Sequence, residues 1–218
     1  MSVTDNIPTG LYFTPSLKVS HNKADDTRRR ILRAAFDEFY SRGFQGGSLN
    51  DIVAKAGTTK GALFHHFDGK NDLGYAVLEE IVQPHIKEQW LDPLADSIDP
   101  IQDLKINLQN FTRRASSKGE LTRGCPLNNL AQEMSPLDEQ LRARIEKVYT
   151  LWREGYAAAF TRGIKAGTVK SSITPRTVAA FVVAAQAGII GTAKAAQSKE
   201  LMAEAGAGLC AYLDSLKP

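Results

Sequence analysis

The chain has 218 residues, 43% of them hydrophobic, which is enough apolar material for a substantial core and argues against disorder along its length. A formal charge of +3, from 27 Lys+Arg against 24 Asp+Glu, is too even to name a nucleic-acid partner. Two cysteines, Cys125 and Cys210, are too few for a disulfide scaffold and lack metal-motif spacing, so a reducing, cytoplasmic setting is the simpler reading.

Residues 1–24 show no sustained period and read as a loosely ordered arm, with Leu11, Tyr12, Phe13 and Leu17 available to dock on the body. The start has neither a basic opening before an apolar run nor a small-residue cleavage site, which argues against export. From Asp25 the pattern becomes helical: Ile31, Ala34, Ala35, Glu38 and Phe39 share a face, Leu32 and Phe36 widen it, and Gly43 is placed as a C-cap. Arg28, Arg29 and Arg30 are expected in the opening turn, where they oppose the helix macrodipole. Phosphate contact and simple solubility both account for them. Charge is skewed here, with eight basic residues against four acidic ones between Arg28 and Lys70.

The next stretch predicts two short helices. Ser48 caps the first, which turns Leu49, Ile52, Val53 and Ala56 inward. Gly57 supplies a tight turn, and Thr59 caps a second helix, Lys60 to His66, with Leu63 and Phe67 inward. Two short helices about a glycine-containing turn form a helix-turn-helix, whose second helix enters the major groove of duplex DNA. Gly61 and Ala62 let its backbone approach base edges, and Lys60 offers a donor to phosphate or to guanine. His65, His66 and Lys70 have nitrogens within reach of phosphate oxygens. Each has a bland alternative, since an outward lysine is ordinarily solvated and His66 could be a structural residue at a helix end. Adjacent histidines do not share a helix face, so no metal is expected.

Beyond Asn71 everything reads as helix. Asp72 to about Leu91 forms one long helix closed by Asp92 and Pro93, and Ile101 to about Ser117 another. A further helix begins near Cys125 and Pro126, and Pro136 opens a long one that passes through Trp152 and ends near Gly167. Pro175 starts a helix running to about Gln197, and the last spans about Lys199 to Leu216. The apolar run from Val178 to Ala193, about sixteen residues long, is too short and mild for a membrane span and reads as a packed or interface helix. Phe181, Ala184, Ala185, Gly188 and Ile189 form one seam, and Leu201, Ala205, Gly208, Leu209 and Tyr212 another. Glycine inside a helix costs about 1 kcal/mol relative to alanine, and close packing accounts for keeping it. The expected class is all-α, divided into an arm (1–24), a helix-turn-helix domain (25–70) and a helical ligand-binding and dimerisation domain (71–218).

The run TRRRILRAAFDEFYSRGFQGGSLNDIVAKAGTTKGALFHHFDGKNDL, Thr27 to Leu73, resembles the DNA-binding domain of the tetracycline-repressor (TetR) family. The matching positions include Thr27, Ile31, Ala35, Phe39, Gly43, Phe44, Ser48, Ile52, Gly57, Gly61, Leu63, His66, Phe67 and Leu73. The resemblance implies a three-helix head and a fourth helix leading into a dimerising body. It directs Lys60, Gly61, Ala62 and His65 toward bases and nearby backbone, Ser48, Phe64, His66 and Lys70 toward phosphates, and Asn50 toward bases from the preceding helix. With the capping Thr59 these are the candidate DNA-binding residues. The family usually has tyrosine where this chain has Phe64, so one hydroxyl contact, worth about 1 kcal/mol, is missing.

The segment RGCPLNNLAQEMS, Arg123 to Ser135, is similar to one C-terminal subgroup of that family. A ligand cavity is then expected among the helices of residues 72–170, with Trp90, Phe111, Trp152 and Tyr156 as candidate lining residues, each equally able to be ordinary core. Cys125 lies at a loop-to-helix junction where helix N–H groups and neighbouring Arg123 would stabilise a thiolate. Some members of that subgroup sense electrophiles or oxidants through such a cysteine, whereas its bland role is a small buried hydrophobe.

The expected partners are a double-stranded DNA operator, a second copy of the chain and an unidentified small-molecule inducer, with no membrane and no cofactor. No Gly-rich phosphate loop, G-x-S-x-G or H-E-x-x-H motif is present, so an enzyme is disfavoured. The main alternative is a helical adaptor whose head does not bind DNA.

Overall fold

The computed structural model describes residues 23–115 and 121–218, and the expected docking of the N-terminal arm lies outside them. Helix α1 spans Lys23–Arg42, with Asp25 and Asp26 in its first turn. It therefore begins two residues before the expected start. Arg28, Arg29 and Arg30 sit a turn further in, and acidic residues meet the positive end of the helix dipole instead. Ile31, Leu32, Ala35 and Phe36 are buried on its inner face, and Gly43 ends it with φ +80°.

Helix α2 is Leu49–Lys55 and α3 is Lys60–His66. Gly57 adopts φ +58° in the turn between them, a conformation that side chains with a Cβ seldom take. Ile52, Ala56, Leu63 and Phe67 are buried under the two helices.

Helix α4, Lys70–Val77, leads out of the head. The single helix expected from Asp72 to Leu91 is interrupted: a π-turn at Leu78–Val82, a short α5 at Gln83–Ile86, a second π-turn at Lys87–Leu91 and a 3-10 turn at Asp92–Leu94 follow one another. Pro84 is the physical reason. It has no N–H for the carbonyl one turn earlier, and its ring crowds that carbonyl, so the rod widens on either side of it.

The body consists of α6 (Pro100–Ala115), α7 (Pro126–Met134), α8 (Glu139–Ala166), α9 (Pro175–Ala196) and α10 (Lys199–Asp214). Pro136 does not open α8. Asp138 does, its side chain accepting a hydrogen bond from the Leu141 amide at 2.8 Å, a proper N-cap that proline cannot provide. Gly167 closes α8 in the left-handed region.

Helix α8 is the spine of the body, burying Leu141, Ile145, Val148, Trp152, Tyr156 and Phe160. One buried apolar cluster runs from Ile31 in the head to Leu216 in the body, with Ala193 and Met202 in a second, smaller one. Helix α9 has 22 residues and contains an 18-residue stretch with a mean hydropathy of 1.6, long and apolar enough by composition to cross a membrane. Its inner face, Val178, Ala179, Val182 and Val183, is buried inside the protein. All elements among the described residues are helical.

Candidate nucleic-acid interface

Local chemistry sets the head before any partner arrives. The Ser48 side chain caps α2 by accepting from the Asp51 amide at 3.3 Å, and Thr59 caps α3 by accepting from the Ala62 amide at 3.1 Å. Arg30 on α1 donates to the carbonyls of Ala56 (2.7 Å) and Gly57 (3.2 Å). These carbonyls end α2 and form the turn, so the guanidinium fixes the angle at which α3 leaves it. Glu38, wholly buried, takes the Lys55 ammonium and lies 3.3 Å from the Arg42 guanidinium.

Much of the basic excess counted in the sequence is therefore structural. Arg28 binds Glu80 in a bidentate pair at 2.5 and 2.6 Å, and Arg29 pairs with Asp26 at 2.9 Å. These contacts are a third role beside the two weighed for the three arginines, phosphate contact and solubility.

Apart from Phe64, the face left outward is small or polar. Asn50, Thr59, Lys60, Gly61 and His65 are exposed, while Ser48, Ala62, His66 and Lys70 are half-buried. Phe64 is 53% exposed, a large apolar ring standing out from α3 while Leu63 beside it is 1% exposed. A Cβ at Gly61 would meet only the Thr59 hydroxyl, at 3.8 Å, so the protein itself does not require glycine there. Lys70 donates to the Gln45 carbonyl at 2.9 Å and lies 5.4 Å from the centre of the Phe44 ring, which steers its ammonium along the head's edge. Burial, together with the charges of His65 and Arg28, outweighs the charge of Asp25 and pushes the His66 imidazole down from its ordinary value, which disfavours its cationic form. Among the described residues no group of three His, Cys, Asp or Glu side chains could hold a metal.

The joint between head and body has contacts that sequence reasoning missed. Glu133 on α7 accepts from the backbone amides of Phe44 and Gln45, both at 2.8 Å. Tyr40 on α1 donates to the Gly124 carbonyl. Asp138 receives the Tyr75 hydroxyl at 2.9 Å and the Asn71 amide at 3.3 Å. No local pattern announces Glu133, since its partners are backbone amides almost ninety positions earlier.

The candidate ligand-binding residues are found largely in the core. Trp90, Trp152 and Tyr156 are at most 3% exposed. Trp90 stacks on Trp152 at 5.8 Å and tilts against Phe111 at 5.1 Å, and Trp152 meets Tyr156 edge-on at 6.2 Å. The Tyr156 hydroxyl donates to Gln186 at 3.1 Å. Cys125 precedes α7 as expected, and on balance its surroundings disfavour the thiolate. Burial pushes the thiol up, and the amides of Asn128 and Leu127 do not offset that. The expected help from Arg123 is absent because its guanidinium lies over the Tyr40 ring, 5.6 Å from the centre.

A compact helical head presenting a capped, glycine-bearing reading helix on a larger helical body defines a helix-turn-helix regulator. Residues 31–77 match the family of bacterial regulatory proteins of the tetR type, and residues 100–209 match the tetracyclin repressor-like C-terminal domain. The chain belongs to the TetR family of transcriptional regulators and, on that ground, is a regulator rather than an enzyme. It is 25% identical to the HTH-type transcriptional repressor DhaR of Mycobacterium sp. (strain GP1), over 79% of this chain and 85% of that protein. With the HTH-type transcriptional regulator LmrA of Bacillus subtilis (strain 168) it shares 30% identity, over 60% of this chain and 69% of the relative. A TetR transcriptional regulator from Chloroflexus aurantiacus superposes with a TM-score of 0.79 at 25% identity, covering 89% of this chain and 98% of that one. The regulatory protein TetR from Rhodobacter sphaeroides gives 0.75 at 22% identity, covering 84% and 97%, which is likeness of fold.

Proposed function

We propose that the chain acts as a homodimer that occupies a palindromic operator in duplex DNA and represses the adjacent promoter until a small molecule binds the body. The observation that carries this reading is the outward face of α3: Lys60, Gly61, Phe64 and His65 are exposed on a helix whose opposite side is locked into the core by Leu63. In this reading residues 25–70 form the reading head and 71–218 the sensing and dimerising body. Gly61 and Ala62 admit α3 to the base edges, Lys60, His65 and Asn50 contact bases and nearby backbone, Ser48, Thr59, His66 and Lys70 meet the phosphodiester chain, and Phe64 packs against it or its ribose.

Dimerisation is supported by the outer face of α9 and α10. Gly188 and Gly208 are exposed, and a Cβ at either would meet nothing within 4 Å. Their smallness has no use inside one chain, but it lets helices of two chains approach closely. Phe181, 50% exposed, packs edge-on against Tyr212 at 4.6 Å and forms an apolar ridge beside them. A two-fold axis there places two reading helices roughly 34–36 Å apart, or a multiple of that spacing, to match the two halves of an operator. Repression, the activity in DhaR's name, follows from occupying the promoter.

Selection of bound fragments from random duplex DNA, followed by sedimentation of the free protein and its complex, tests the reading. Two chains on an inverted repeat are expected. A monomer in both states, or absence of any selected sequence, would overturn it in favour of a helical adaptor.

A further inference from the structure

The joint between head and body lines a half-open cleft of about 730 Å³, within the range of small-molecule sites. One wall is the head, through Phe36, Phe39 and Tyr40 of α1. The facing wall is the body, through Leu130 of α7 and Lys194 of α9, and Val77 of α4 closes the floor. Most of this surface is apolar. The cleft shares no residue with the aromatic column of Trp90, Trp152 and Tyr156, which packs on itself.

The polar groups in the cleft are tightly organised. Asn129 donates its amide to the Arg123 carbonyl at 2.6 Å, which fixes the orientation of the side chain, and its oxygen accepts from the Lys194 ammonium at 3.2 Å. Gly124 has φ +74°, and a Cβ there would come within 2.8 Å of the Lys194 stem, so the absent side chain is what leaves the lysine its course. The same Gly124 carbonyl holds the Tyr40 hydroxyl of the head. The Arg123 to Asn129 segment, which drew notice in the sequence for its cysteine, thus serves as the mount for a half-buried ammonium at the wall of an apolar cleft. Lys194 has three donors, and Asn129 uses one of them. Glu133 also borders the cleft, but each of its oxygens already accepts a head amide at 2.8 Å, so its carboxylate is held at the rim.

We propose that this cleft is the effector site and that it takes a flat aromatic organic anion, with its ring system between α1 and α7 and its acid group on Lys194. The inference rests on the regulator reading above for its consequence, but not for the binding itself. A molecule held there touches head and body at once, beside the Glu133 latch, so its occupancy and the head's position are thermodynamically coupled. Operator binding must then change the anion's affinity by the same factor as the anion changes operator affinity.

The probe is 1-anilinonaphthalene-8-sulfonate, titrated by fluorescence against the full chain, with N-phenyl-1-naphthylamine as its uncharged analogue. One site per chain is expected. Lys194→Met, which keeps the stem and removes the charge, should weaken sulfonate binding about tenfold and leave the uncharged dye unaffected. Leu130→Trp, which fills the cleft, should abolish both. Unchanged uncharged-dye binding by Lys194→Met shows that its cleft is intact, and a thermal melt does the same for Leu130→Trp. Equal sulfonate affinity for wild type and Lys194→Met, or sulfonate binding that survives Leu130→Trp, would overturn the proposal. So would tighter binding of the cationic dye proflavine than of the sulfonate. Because these titrations contain no DNA, their failure is distinct from failure of the operator reading. Adding a selected operator duplex should lower sulfonate affinity, and an unchanged value would refute the coupling.

Discussion

Glu38 of α1 has no exposed surface, and its carboxylate receives the ammonium of Lys55 from α2. Burial pushes this carboxyl up, but the Lys55 hydrogen bond, the Ser48 amide and the charges of Lys55 and Arg42 together outweigh it, and the net shift is downward. The pair joins the first helix to the reading motif. Glu38→Gln keeps the shape and removes the charge, so it should destabilise the protein by about 1–3 kcal/mol in urea unfolding at pH 7. A carboxyl lowered in the folded state stabilises above its unfolded value, near pH 4.3, and loses that contribution as pH falls through the folded value. The difference between wild type and variant should thus be constant from pH 8 to about 5 and shrink below about 4. A difference under about 0.5 kcal/mol at pH 7 would mean that the pair is incidental.

In the body, burial and then the nearby charge of Arg114 push the His85 imidazole down from 6.5 to about 4. The folded chain holds it neutral while the unfolded chain accepts a proton, so acidification favours unfolding between these two values. Stability should fall by about 3 kcal/mol as pH drops from 6.5 to 4 through this group alone. His85→Gln should remove that part of the slope. Parallel acid profiles for the two proteins would assign the loss elsewhere.

Gly61 and Lys70 separate reading from gripping. Space around Gly61 is open, so Gly61→Leu should leave the melting temperature nearly unchanged and abolish discrimination between operator and unrelated DNA. Lys70→Ala should weaken binding to both duplexes alike and reduce the salt slope by roughly 1. It should also cost about 0.5–1.5 kcal/mol of stability through the lost bond to Gln45. Unchanged discrimination by Gly61→Leu in a binding titration would contradict the docking of α3.

With its thiol raised by burial, Cys125 should react slowly with N-ethylmaleimide at pH 7, by intact-protein mass. Operator release after such treatment should be the same for wild type and Cys125→Ser. Fast modification of Cys125 with release confined to wild type would restore it as a sensor.

The fold class, the helix-turn-helix and its inward residues were legible in the sequence because they depend on neighbours three and four positions away. Ile52, Leu63, Phe67 and the glycine turns at Gly43 and Gly57 follow from helical period and backbone sterics, which act locally. The outward residues of α3 were legible for the same reason, as the complement of that period. Pro84 lies inside the run read as one helix from Asp72 to Leu91, and its two flanking π-turns depend on how that helix is held in the packed body.

The tertiary structure alone decided what the charges do. Helical spacing placed Glu38 among apolar residues, but only the approach of α2 supplies the Lys55 and Arg42 charges that let a carboxylate stay there. Arg30 reads as a surface cation until the Ala56 and Gly57 carbonyls come within 3.2 Å of it. Trp90 and Trp152 read equally as core or cavity lining, and only the packed structure brings them into a stack, 5.8 Å apart and at most 3% exposed. Lys194 and the Arg123 to Asn129 segment are far apart in the chain and meet only when α9 packs beside α7. Hydrogen bonds and ion pairs act over a few ångströms of space regardless of sequence separation, so their partners are set by packing.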